Sequence, residues 1–387
     1  MNLDLEMMMM MQRYMKIMLF SVILIISILG GCFLIFYQKK EVNYFDTIDA
    51  TTVVDDTIYA VGRNNANDKE LTKAKFTIYN NKQEKIYEKL YNRGYTSRFY
   101  DLLVDDENAV IVGSYEKNKK DYKNNNSTAV ILKYDDSGQL LFEKEVSNTI
   151  FYDVLSFDDG YLAIGVSQGK DKRKGVLVKY HSDGTLDWKQ EYGDGDTEFT
   201  AGVFYNNEIY VVGVENNSGI LISFSKEGVL LDFVSNEETD SLGFSSITVV
   251  SDSLVLSGGK RNSDDFSQPL LVKYDFELNY IDSIFYDSKY SGRFLKVITD
   301  SNDDLIVLAS TVEVKNEKNV HHSYIGKYRS DLRKASVVHY YNEDDYFTDI
   351  SFMDGTYLVS GYSYYSDQGY LSKFLSYSEA LKLLEVK

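Results

Sequence analysis

Residues 151–193 read FYDVLSFDDGYLAIGVSQGKDKRKGVLVKYHSDGTLDWKQEYG, four short apolar runs separated by turns rich in Asp, Gly and Lys. Alternation of apolar and polar residues over roughly four to eight positions marks a half-buried strand. The stretch is therefore expected to form a four-stranded antiparallel meander, with strands over 152–157, 161–166, 175–180 and 185–191. A meander of this size cannot bury its own apolar face, so copies must pack on one another.

Copies are present. Aromatic residues open seven segments, Phe45, Phe99, Phe151, Phe199, Phe244, Phe294 and Phe347, at spacings of 54, 52, 48, 45, 50 and 53 residues. A glycine ends the most apolar run of six of them (Gly62, Gly113, Gly165, Gly213, Gly258 and Gly361), and Ala309 takes that place in the sixth segment. A third landmark, an aromatic often preceded by Lys, follows at Tyr79, Tyr134, Tyr180, Phe224, Tyr274, Tyr328 and Phe374. Four strands per unit at such a period are the signature of β-propeller blades. Residues 45–387 are thus expected to form an all-β, seven-bladed propeller of four-stranded antiparallel blades. The first and last units each hold four strands of their own, so ring closure should rest on packing and not on an exchanged strand; an open solenoid is the structural alternative.

The segments 175–214 and 129–146 (AVILKYDDSGQLLFEKEV) resemble the seven-bladed propeller repeats of bacterial surface proteins known as SBBP repeats. Both run from a Lys-containing strand through an Asp-Gly or Ser-Gly turn into an outer strand. The turn glycine is replaced in units one, five and six, by Asn80-Asn81-Lys82, Phe276-Glu277-Leu278 and Ser330-Asp331-Leu332. The resemblance implies a bacterial propeller outside the cytoplasm, and it implies no catalytic residues, because that family shares none.

Composition agrees with an all-β reading: 33 Tyr and 21 Phe against a single Pro suit half-buried pleated surfaces. The net charge of −18 argues against nucleic acid as a partner, since phosphate binding needs a concentrated basic surface. A lone cysteine, Cys32, excludes an internal disulfide or a thiolate metal site.

The N-terminus divides into a Met-rich leader (1–16), an uncharged apolar stretch (17–37, IMLFSVILIISILGGCFLIFY) and a linker (38–44). At 1.5 Å per residue the apolar stretch spans about 30 Å, the thickness of a bilayer's hydrocarbon core. It reads as a transmembrane signal anchor that leaves the propeller extracytoplasmic. A second reading lies inside it: Leu29-Gly30-Gly31-Cys32 resembles a lipobox, with Cys32 as the lipidation candidate. Residues 33–37 stay apolar where a mature lipoprotein turns polar, which favours the uncleaved anchor. Either way the chain is tethered to a cell membrane.

The sequence carries no HExxH, nucleophile elbow, phosphate-binding glycine loop or dinucleotide fingerprint. His181 falls at a turn, and His321-His322 falls in what reads as a long loop, 312–323. Adjacent residues of extended chain point opposite ways, so this pair is a poor metal site. The acidic turn Gly193–Glu198 offers oxygens for Ca²⁺ but lacks the rest of a calcium loop.

Binding on a propeller resides in its irregular connections. Three of these are basic in an acidic protein: 116–123, with Lys117, Lys119, Lys120 and Lys123; 170–174, with Lys170, Lys172, Arg173 and Lys174; and 315–318. A last loop carries Tyr364 and Tyr365, suited to stacking on a sugar or packing on a protein. The openings of the innermost strands supply Asp46, Asp101, Asp153 and Asp349, with Lys296 in the sixth unit. Several carboxylates around a channel suit Ca²⁺ or acid–base work; otherwise they cap inner strands or bond to neighbouring blades. Two functions follow. One is a non-catalytic scaffold for an envelope protein or polymer, requiring no cofactor. The other is a channel enzyme of the quinone-dependent dehydrogenase, lactonase or lyase kind.

Overall fold

The computed structural model describes residues 46–65, 71–169, 171–235, 241–263, 266–315, 318–340, 345–353, 355–365, 369–378 and 383–386. The leader, the apolar stretch, the linker, Phe45 and Cys32 lie outside the described residues. Among those described, no helix is long and apolar enough to cross a membrane.

Seven four-stranded antiparallel sheets are present, each built from four consecutive strands. The innermost strands are Asp46–Val54, Thr96–Asp105, Thr149–Phe157, Thr197–Tyr205, Ser241–Val250, Ser291–Thr299 and Asp345–Met353, and they define blades 1 to 7. The expected propeller is observed. Second and third strands such as Asn108–Glu116 and Thr128–Tyr134 are buried almost throughout, because each is sandwiched between neighbouring blades. Fourth strands such as Leu186–Tyr192 are largely exposed along the perimeter.

The aromatic and glycine landmarks turn out to be one feature. Phe99 pairs with Gly113, Phe151 with Gly165, Phe199 with Gly213, Phe244 with Gly258, Phe294 with Ala309 and Phe347 with Gly361. The register shifts immediately after each aromatic, so every inner strand carries a β-bulge at the same place. The bulge drives the inner strand's carbonyl toward its partner: a Cβ at Gly165 would overlap the Ile150 oxygen, and one at Gly213 the Glu198 oxygen. That close approach is what requires glycine.

Two landmarks need correction. In blade 1 the residue paired with Gly62 is Ile48, not Phe45, so burial of a β-branched side chain replaces the aromatic. In blade 7 the third-strand aromatic that follows the register shift is Tyr377, not Phe374. The segment 312–323 is also not a loop: strands Leu305–Lys315 and Lys318–Tyr328 pair over their whole length as a hairpin, His321 opposite Val312 and His322 opposite Thr311. Val312, Val314 and Val320 favour the pleat over a coil.

The ring closes without strand exchange. Blade 7 meets blade 1 through a cluster containing Ile48, Ile58, Ala60, Tyr79, Leu358 and Phe374, with the Tyr79 and Phe374 rings 5.0 Å apart edge to face. Thr348 Oγ1 donates to Ile48 O at 2.7 Å and Ser351 Oγ to Thr51 O at 2.9 Å.

Candidate functional site in the central channel

An innermost strand is an edge strand, and the N–H groups on its open side have no ladder partner. At four junctions the residue directly after the bulge answers that need in the next blade. Asp101 Oδ2 accepts from Val154 N at 3.1 Å, Asp153 Oδ2 from Gly202 N at 2.8 Å, and Asp349 Oδ2 from Thr51 N at 2.7 Å. Ser246 Oγ accepts from Val297 N at 3.4 Å. Four junctions, including the closing one, are fastened by one equivalent side chain.

These residues line a central cavity of about 910 Å³, together with Tyr100, Tyr152, Thr200 and Lys296. Val154 N is shared, lying 3.1 Å from Asp101 Oδ2 and 3.0 Å from Asp153 Oδ1, which draws two carboxyl groups onto one donor. Burial, then the charge of Asp153, holds the Asp101 carboxyl well above the usual range, with Lys296 pulling the other way. Lys296 Nζ stands 3.6 Å from Asp349 Oδ1, and the charge of Asp349, followed by Asp101 and Asp153, raises the Lys296 pKa against the cost of burial. The arrangement can hold a shared proton and a fixed ammonium side by side.

Asp46 is not among them. It pairs with Asn64 two residues before Ile48, and its carboxylate bonds Lys75 Nζ away from the channel. Its equivalent in blade 7 is Asp345, which pairs with Lys373 Nζ at 2.6 Å.

The starts of the inner strands lie at the same end of the blades as the connections between second and third strands, since Asp46 is opposite Asn64 and Thr96 opposite Glu116. At that end, residues 119–123 form a short helix, α1 (Lys119–Lys123), capped by Asn118 Oδ1 accepting from Lys120 N and Asp121 N. Lys117, Lys119, Lys120 and Lys123 are exposed on it or beside it. In the second basic loop Arg173 is paired and Lys172 is tied to the backbone. Lys172 Nζ donates to Asp194 O at 2.6 Å, and Arg173 is bidentate to Asp196 at 2.9 Å and also bonds Glu198. The acidic turn 193–198 is thereby explained by the basic loop it faces. Lys174 is exposed, Lys170 lies outside the described residues, and so do the side chains of Tyr364, Tyr365, His339 and 315–318.

His181 Nδ1 sits 3.0 Å from Asp159 Oδ2 at the end of its strand. His321 and His322 point apart, onto Tyr346 and Tyr290 at 4.4 and 4.7 Å. Among the described residues, no three His, Cys, Asp or Glu side chains are placed to hold a metal ion.

Sequence reasoning missed the bulged positions themselves, Asp49, Tyr100 and Tyr152, and the arginine before one of them. Arg98 is bidentate to Asp49 at 2.9 and 2.8 Å and lies over the Tyr100 ring at 4.7 Å. The available signal was the period: Arg98 and Asp49 are 49 residues apart, one blade.

No known family profile and no curated protein matches this sequence. Solved structures match in fold. Sqt1 from Chaetomium thermophilum superposes with a TM-score of 0.52 at 10% identity over 89% of each chain. The Dos1 propeller gives 0.50 at 12% identity, over 89% of this chain and 96% of that one. The acylaminoacyl peptidase of Pyrococcus horikoshii gives 0.50 at 11% identity, over 90% of this chain but 53% of that one. At these identities the likeness establishes the β-propeller and nothing about chemistry.

Proposed function

We propose that this chain is a membrane-tethered, extracytoplasmic, SBBP-like bacterial propeller acting as a non-catalytic scaffold. Residues 17–37, or a lipid on Cys32, hold it at the membrane, and the end bearing α1 engages an envelope protein or polymer. The observation that carries this reading is the employment of the channel acids: Asp101, Asp153 and Asp349 each bind a backbone N–H of the following blade, a fastening role. Crosslinking of the full chain in intact cells with a membrane-impermeant amine reagent tests it. Lys119, Lys120 or Lys123 is expected to join a partner; labelling only after lysis, or identical crosslinks with 117–123 replaced by a short turn, would overturn it.

A second reading, a channel enzyme, is favoured by the raised Asp101 carboxyl beside Lys296, since perturbed acids in clefts mark reactive sites. It requires activity lost in Asp101→Asn while the melting temperature is kept.

A further inference from the structure

An arc of side chains around the channel mouth is used neither by the fastening acids nor by α1. In blades 3 and 2, Tyr152 and Tyr100 meet edge to face, centroids 5.2 Å apart at 84°. The Arg98 guanidinium lies over Tyr100 at 4.7 Å, and Asp49 of blade 1 grips it with both oxygens. In blade 7, Tyr362 and Tyr346 are stacked at 5.1 Å and 14°, and His321 of blade 6 tilts onto Tyr346 at 4.4 Å. The two halves join, because Asp49, Arg63 and Arg98 all lie near enough to act on the Tyr362 phenol electrostatically.

All five rings are half-buried, each keeping part of its surface open. Tyrosine offers a rigid apolar face and a polar tip, so it contacts a ligand at low entropic cost. The charges beside the rings balance: Arg63 and Arg98 share Asp49, and Arg173 is held by Asp196 and Glu198, the latter also close to Tyr152. Burial, then the neighbouring His322, lowers the His321 pKa, which favours the uncharged imidazole. A polyanion would find no surplus of cations here. An organic cation would meet the two guanidiniums that an aromatic cage lacks. A neutral, polyhydroxylated chain fits both halves of the pattern, with sugar C–H faces on the rings and hydroxyls on the partly exposed Arg98 guanidinium, which the buried Asp49 holds in place.

We infer that the arc from Tyr152 through Tyr100 and Tyr362 to Tyr346 binds a neutral glycan across the channel mouth. This rests on the scaffold reading only in taking the α1 end as the binding surface, and it chooses a polymer over a protein as what the mouth receives.

The test is calorimetric titration of the detergent-solubilised full chain with neutral hexasaccharides: cello-, chito-, laminari-, manno- and xylohexaose. At least one should bind, and Tyr100→Ala with Tyr346→Ala should weaken it by about tenfold or more. Tyr100→Phe with Tyr346→Phe should retain binding, as should Tyr122→Ala on α1. If the alanine pair fails to fold, saturation transfer from the tyrosine rings of the wild-type protein to the bound sugar supplies the same information. Absence of binding across the series, preference for polygalacturonate, or equal affinity in the folded alanine pair would overturn the inference. A protein crosslinked through α1 alongside those results would leave the scaffold reading standing.

Discussion

The Trp188 ring of blade 3 occupies the space that a side chain at Gly228 of blade 4 would need, with Cζ3 2.9 Å from the position of its Cβ. The same complement recurs one blade earlier, where Phe142 Cγ lies 2.7 Å from a Cβ at Gly184, and again between Tyr87 and Gly138. These glycines are left-handed, with φ of +81° at Gly184, +76° at Gly228 and +78° at Gly138. Blades 5 and 6 keep the turn without glycine: Leu278 and Leu332 adopt φ of 59° and 63° and are buried. In the preceding blades the outer-strand residues in register are Asp232 and Asp282, so the leucine fills the volume that an aromatic fills elsewhere. Backbone strain of roughly 1–2 kcal/mol is offset by burying a leucine, worth roughly 1.5–3 kcal/mol.

Gly228→Leu should therefore destabilise the fold by about 2 kcal/mol or more, and pairing it with Trp188→Asp should recover part of that loss. Denaturant midpoints of the two variants decide the point, and equal midpoints would refute the volume exchange.

The Asp101–Asp153 pair sets a pH dependence. The folded pKa of Asp101 is raised, so between the ordinary carboxylate range and that raised value the native state holds the extra proton. Stability must fall as pH rises through that window. Lys296, Asp153 and Asp349 are the charges facing the group. Asp101→Asn keeps an acceptor for Val154 N and removes the repulsion, so its unfolding free energy should decline less with pH than that of the wild type across that window. Parallel pH curves for the two proteins would contradict this.

Blades 1 and 7 carry a charged seam. Opposite the bulge glycine, or Ala309 in blade 6, five blades place Val130, Val176, Ile220, Leu270 and Tyr324, whereas blades 1 and 7 place Lys75 and Lys373. Lys75 also donates to Ser372 Oγ of blade 7 at 3.1 Å. Removing one member of a buried pair leaves an uncompensated charge, so Asp345→Ala should cost about 3–5 kcal/mol. Asp345→Ala with Lys373→Leu, which restores the pattern of the other blades, should cost much less. Chemical denaturation of the single and double variants measures the difference.

Much of the fold was legible because the bulge leaves a pair of marks in the chain. Phe151 and Gly165 recur as a couple in most blades, and both are dictated by one backbone irregularity. Following aromatic identity alone misplaced blade 1: Ile48 does the work of a phenylalanine, and counting from Phe45 put Asp46 in a channel it does not line. The candidate site was harder to read because its contacts cross between blades. Asp153 and Gly202 are 49 residues apart, Asp101 and Val154 are 53, and nothing local marks either pair. The ion pairing of Arg173 in the loop at 170–174 is hidden for the same reason, since Asp196 is brought to it by the start of the next blade. The hairpin holding His321 and His322 is hard to read because the paired length beyond the bulge varies from blade to blade, long in blades 5 and 6 and shorter in blade 4.

Co-purification of the full chain from detergent-solubilised membranes tests the scaffold account most directly. A variant with Asp101→Asn and Asp153→Asn should keep its envelope partner, because those acids fasten blades. A variant with 117–123 replaced by a short turn should lose it. A folded channel variant that loses the partner while the α1-deleted protein keeps it would contradict the account.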